Sequence, residues 1–180
     1  MYTGRDQFGG KGAGAIATEY SFDVVSRVDM AEVQNAVQQA GKEVATRYDL
    51  RGAGAAIALD AKAGTVTLTA ADAQPLGSLL ELLQQRLAKR GVSLRAVQAG
   101  EPQPASGGTL RQVLTFQQGI PTEKGKELVR ALRDAKLKVT AQLQDDQVRV
   151  NGAKKDDLQA AIALLKGADI GLDLQFVNYR

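Results

Sequence analysis

From Ser21 to the C-terminus the chain spells one order of elements twice: strand, helix, strand, strand, helix, strand. In the first copy, Ser21–Val28 reads as a strand, and Met30, Val33, Val37, Ala40, Val44 and Tyr48 step by three and four along a helix. Asp29 stands before that helix with Glu32 three residues on, a capping-box spacing. Ala55–Leu59 and Thr65–Thr69 alternate around the turn Asp60-Ala-Lys-Ala-Gly64, which predicts a hairpin. A second helix opens near Pro75, carries Leu76, Leu79, Leu80, Leu83 and Leu87, and stops at Lys89-Arg-Gly91. Ser93–Gln98 is expected to close the unit. The second copy runs from strand Leu110–Gln117 through a helix capped by Thr122, a hairpin at Val139–Leu143 and Gln147–Val150, a helix after Gly152, and a last strand with Leu172, Leu174 and Phe176.

This order predicts an α+β protein of two tandem ferredoxin-like units, each an antiparallel sheet with two helices on one face. The default division is a flexible glycine-rich leader over 1–20, a first unit over 21–98, a linker over 99–108 containing Pro102 and Pro104, and a second unit over 109–180. Exchange of the end strands between units stays open. Within the leader, Gly10-Lys-Gly-Ala-Gly14 lacks the preceding strand and the Gly-Lys-Ser/Thr ending of a phosphate-binding loop.

The chain has no cysteine and no histidine, which removes thiol chemistry, the usual zinc sites and imidazole acid–base catalysis together. No cofactor and no metal site are expected. The adjacent pairs Asp145-Asp146 and Asp156-Asp157 would be the ligands of a magnesium enzyme, but capping and turn formation explain them as well. No stretch is long and apolar enough to span a bilayer, and a cytoplasmic protein without membrane contact is expected. Net charge is +3 and spread along the chain, so a preference for polyanions has to come from local clusters.

Three such clusters stand out. Arg47-Tyr48-Asp49-Leu50-Arg51-Gly52 follows the first helix, where a guanidinium can fork onto phosphate oxygens and Tyr48 can offer a ring. Equally, Tyr48 can complete the apolar stripe while Arg47 pairs with a neighbouring acid. Lys154 and Lys155 precede a helix N-terminus, where an anion also finds exposed amides, although Asp156 and Asp157 can supply that negative charge internally. Arg180 ends the chain, either beside a phosphate path or on a frayed tip. The helix from Thr122 also carries Lys124, Lys126, Arg130 and Arg133 among Glu123, Glu127 and Asp134, the pattern of a solvated face.

Ser21-Phe-Asp-Val-Val-Ser-Arg-Val-Asp29, Ala45-Thr-Arg-Tyr-Asp-Leu-Arg-Gly52, Lys136-Leu-Lys-Val-Thr-Ala-Gln142, Val148-Arg-Val-Asn-Gly152 and Leu174-Gln-Phe-Val-Asn-Tyr-Arg180 resemble the YajQ family of bacterial nucleotide-binding proteins. The resemblance runs from about residue 20 to the end. It implies the tandem fold and a non-enzymatic role in binding a nucleotide, with cyclic di-GMP or GTP as the ligand and a protein partner in bacterial signalling. Its alternative is an RNA-binding accessory role with weak sequence preference. Leu50 stands where the family carries an aromatic, and Ala153 interrupts its glycine–lysine run. On this reading Arg47, Tyr48, Arg51, Lys154, Lys155 and Arg180 are the candidate nucleotide-binding residues, with a cyclic dinucleotide held between the units by Arg47 and Arg51.

Overall fold

The structure, a computed structural model, describes residues 19–180. The leader reading lies outside the described residues except at Glu19 and Tyr20, and Tyr20 already belongs to the first strand. In chain order the elements are β1 (Tyr20–Val25), α1 (Met30–Val44), β2 (Ala56–Asp60), β3 (Thr65–Ala70), α2 (Ala73–Lys89), β4 (Val97–Ala99), β5 (Gln103–Pro104), β6 (Leu110–Phe116), α3 (Thr122–Asp134), β7 (Val139–Gln144), β8 (Gln147–Gly152), α4 (Lys155–Gly167) and β9 (Gln175–Val177). They form two antiparallel sheets, each with a pair of helices: β2-β3-β6-β4, with β5 also on β6, and β7-β8-β1-β9.

The first strand of each unit is therefore exchanged. β1 lies between β8 and β9, with Phe22 opposite Val150 and Val24 opposite Phe176. β6 lies between β3 and β4, with Leu114 opposite Val66 and Phe116 opposite Val97. The division into consecutive halves 21–98 and 109–180 is corrected accordingly. The stretch Ser26–Asp29 does not turn the chain back over its own sheet. Instead it runs extended against 117–119: Gly119 N donates to Ser26 O at 2.7 Å, Val28 N donates to Gln117 O at 3.1 Å, and Arg27 bridges Gln118. Two antiparallel crossovers, side by side, join the units.

The 99–108 stretch is likewise no linker between units. Gly100 N donates to Val113 O at 2.9 Å, Gln112 Nε2 returns a bond to Gly100 O at 2.8 Å, and Gln103 and Pro104 pair with Arg111 and Leu110. It is a return along the first sheet, with its prolines at the edge, where a missing donor costs little.

Two cores follow the exchange. Leu68, Leu79, Leu83 and Leu114 pack in the first, and Phe22, Leu128, Val150 and Leu165 in the second. In α1 the buried face is Val33, Ala36 and Ala40, and Asp29 Oδ1 accepts from Ala31 N at 2.9 Å as the cap. Glu32 does not reach back to complete a capping box; it lies 3.8 Å from Arg90, the residue that caps the C-terminus of α2. The helix ends at Val44, so the stripe stops short of Tyr48, which is 91% exposed, while Leu50 turns in and joins the first core. The cap of α3 also differs from expectation: Thr122 is its first residue, preceded by Pro121, and no side chain caps it. In the last strand only Gln175–Val177 pairs as a strand, because Gly171 and its neighbours bend the chain before it.

Candidate functional site

The cation clusters sit at the far ends of the two units. Both crossovers leave from the inner ends of β1 and β6, whereas Tyr20, at the outer end of β1, is opposite Gly152. Lys154, Lys155 and Arg180 thus gather at the outer end of the second unit. Arg47, Tyr48 and Arg51 follow the C-terminus of α1, a helix of 15 residues that starts at the crossover. At 1.5 Å per residue this carries them about 22 Å away from the crossover, to the outer end of the first unit. A ligand held between the units by Arg47 and Arg51 is excluded by this path. The cleft that does lie there is lined instead by Arg27, Asp29, Glu32, Arg90 and Asp173, among others, and has a volume of about 280 Å³.

At the first unit's outer end, Arg47 closes a fork on Asp49, with Nε at 3.0 Å and Nη2 at 2.7 Å from its two oxygens. That bond lowers the Asp49 carboxyl and raises the Arg47 guanidinium relative to their ordinary values. Arg51 is exposed and makes no ion pair among the described residues. Tyr48 projects beside it into solvent. Gly52 and Gly54, both in the left-handed region, shape the return toward β2.

At the second unit's outer end the chain builds a cleft. The terminal tripeptide does not fray: Ser21 N donates to Arg180 O at 3.1 Å and Arg180 N to Ser21 O at 2.9 Å, which extends the pairing of β9 with β1 beyond Val177. Asn178 takes a left-handed turn and donates from Nδ2 to Asp23 at 2.8 Å. Tyr179 then lies against Phe22, ring centroids 6.1 Å apart. Tyr20, Lys155, Leu158, Ile162, Tyr179 and Arg180 line a cleft of about 350 Å³ whose floor is apolar and whose rim is cationic and phenolic. Lys155 Nζ sits 5.3 Å from the centre of the Tyr20 ring, a cation–π distance. Lys154 occupies the cap position of α4 without lining the cleft, and no side chain caps that helix. Asp156 and Asp157 share its first turn and satisfy its dipole.

Of the six candidates, the structure brings Lys155 and Arg180 together, sets Lys154 next to them, and keeps Arg47, Tyr48 and Arg51 apart at the other end. Sequence reasoning missed Tyr20, placed in the leader, although an aromatic just before an alternating strand marks its start. It also missed the support beneath the cleft. Asp23, 2% exposed, accepts from Arg149 Nε at 3.0 Å as well as from Asn178. The Arg149 guanidinium holds this carboxyl below its ordinary value against the burial that raises it, with Asn178 adding to the effect. A depressed folded pKa means that the pairing contributes fully above the unfolded value, about 3.9, and is lost as pH falls through the lower folded value. Asp23→Asn is therefore expected to lower stability at pH 7 by roughly 1–3 kcal/mol. The gap between the urea midpoints of variant and parent should narrow as pH falls below the unfolded value; a gap that stays constant through that fall would deny the ion pair its role.

Two antiparallel sheets that trade their first strands, with an aromatic and cationic cleft where the chain ends, define an α+β protein with the anatomy of a binding module. The family described as nucleotide-binding protein YajQ-like matches residues 20–180. A "Nucleotide-binding protein" of Geotalea daltonii is 51% identical over 160 residues, covering 89% of this chain and 98% of that one. One of Elusimicrobium minutum is 48% identical over 162 residues, covering 90% and 99%, and one of Carboxydothermus hydrogenoformans is 47% identical over 165 residues, covering 92% and 100%. The chain belongs to the YajQ family. Among its described residues no helix is long and apolar enough to cross a membrane.

Proposed function

We propose that this chain binds a nucleotide without turning it over. The observation that carries the reading is the convergence of Lys155 and Arg180 with two tyrosine rings on one open cleft. Two cations at its rim suit phosphate oxygens, and Tyr20 and Tyr179 offer flat apolar surface to a base. The names of the relatives point the same way. For turnover the cleft holds no imidazole or thiol, and the aspartate pairs divide between opposite ends of the second unit: Asp146 is tied to Arg27 at 2.9 Å near the crossover, and Asp156 and Asp157 start α4.

The cleft volume is at the small end of the range for small-molecule sites, about 300–1,000 Å³, and matches one nucleotide unit better than two. GTP, or one half of cyclic di-GMP, is the ligand class we assign to it, in keeping with an effector in signalling. Calorimetric titration is expected to show binding of one of these ligands. Lys155→Ala and Arg180→Ala should each weaken it by about tenfold, the loss of one charge-assisted contact. Arg47→Ala, at the other end, should leave it unchanged. Absence of heat with both ligands would reject the reading, and an equal loss in Arg47→Ala would move the site.

The separation of the clusters favours one alternative, an RNA-binding role. A mononucleotide cannot touch both ends, but an extended polyanion can reach Arg51 and Tyr48 as well as Lys154 and Lys155. Retention of transfer RNA on filters would then fall steeply with salt, and fall again in Lys154→Ala/Lys155→Ala and in Arg51→Ala separately.

A further inference from the structure

Among the described residues β7 is an edge strand, paired with β8 on one side only. Counted from the two-residue turn Asp145-Asp146, whose flanking pair is Gln144 and Gln147, the alternation of an antiparallel ladder turns the N–H and C=O of Val139, Ala141 and Leu143 away from β8. The same three side chains point toward α3 and are only half-buried. Between this edge and α3 lie two adjoining clefts of about 280 and 300 Å³, which share Val129 and Arg133 and so form one groove. Its floor is apolar: Val129, Leu137, Val139, Ala141 and Leu143.

The helix wall of the groove is of one sign. Lys126, Arg130 and Arg133 recur at helical spacing along one flank of α3, and all three are exposed. Among the described residues none has a carboxylate within ion-pair distance. The acids that interrupt this run in sequence do not line the groove; Glu127, for one, pairs with Lys124 at 3.7 Å. The mixed face read from sequence thus resolves into an unmixed basic rim above an open strand edge.

We propose that this groove docks an extended acidic segment of a partner protein, added to the second sheet as a further strand beside β7. In such a strand every second side chain faces α3. Those positions take glutamates, whose carboxylates reach Arg130 and Arg133, in turn with leucine-sized residues that cover Val129 and Leu143. A second copy of this chain is disfavoured, because two identical edges would bring two basic rims together. Single-stranded RNA is disfavoured as well: among the described residues the groove offers bases no aromatic side chain to stack on.

The test uses the whole chain and a synthetic peptide of about nine residues, with glutamate and leucine taking turns at every second position and threonine between them, long enough to span a β7-sized strand. Fluorescence anisotropy should show binding. Arg130→Glu/Arg133→Glu should weaken it by roughly tenfold and confer binding of the matching peptide with lysine in place of glutamate. N-methylation of the peptide nitrogens that would pair with β7 should abolish binding without altering the protein. Equal affinity for the glutamate and lysine peptides, indifference to the arginine reversals or to N-methylation, or full displacement of the peptide by oligouridylate would each overturn the proposal.

Discussion

Produced separately, residues 20–98 and 109–180 are expected to stay unfolded, although each spells a complete strand–helix–strand–strand–helix–strand. The first piece contains β1 without β8 and β9, and it holds β3 and β4 without the β6 that lies between them. The second piece has β7-β8 and β9 without β1, so its core loses Phe22 and Val24, both fully buried. Removing a central strand also leaves the ladder groups of both its neighbours without partners, each worth about 1 kcal/mol net and more where burial persists. A chain whose whole stability is about 5–15 kcal/mol does not absorb that. Residues 29–116 make the contrasting case: they carry every strand of the first sheet and both of its helices, and are expected to fold alone. Circular dichroism and two-dimensional amide spectra of the three pieces decide it. Well-dispersed spectra and cooperative unfolding from isolated 109–180 would contradict the strand exchange.

The same exchange marks where sequence reading stops. Periodicity located all four helices and the two hairpins, because Leu76, Leu79, Leu83 and Leu87 or Val148 and Val150 bury faces that local spacing already declares. Which sheet a strand joins is not local information. Phe22 and Leu114 are apolar alternating residues in either unit, and only the extended crossovers at Ser26–Asp29 and Gln117–Gly119 send each to the other core. Tyr48 shows the converse limit: its spacing extends the α1 stripe, yet the helix ends at Val44 and the ring projects into solvent. At the cleft, Lys155 and Arg180 were visible as charges near an element end. Their meeting was not, because it depends on Arg180 pairing with Ser21 across a sheet that sequence could not assemble.

Gly119→Val is expected to be among the most damaging single substitutions in the chain. The residue lies in the crossover with φ +108°, where a side chain is strained whatever the space. A Cβ there would also fall 2.5 Å from Asp146 Oδ2 and 2.7 Å from Asp146 Cβ. The carboxylate could swing aside, but the Asp146 Cβ cannot, since the backbone carbonyl of Asp146 accepts from Ile120 N at 2.7 Å. Swinging the carboxylate would in turn break its bond to Arg27, which ties the turn between β7 and β8 to the other crossover. Left-handed backbone costs about 1–2 kcal/mol for a residue with a Cβ, and the clash and the broken junction bonds bring the total to roughly 3–4 kcal/mol. For a chain of this size that lowers Tm by about 10 °C. Conformation and collision separate in a double-mutant cycle. Asp146→Gly should recover part of the loss in Gly119→Ala by removing the Cβ it meets, and leave the φ penalty in place. A loss below about 1 kcal/mol in Gly119→Val would mean that the crossovers yield without resistance, and that the two units are joined by a hinge instead of a locked pair of strands.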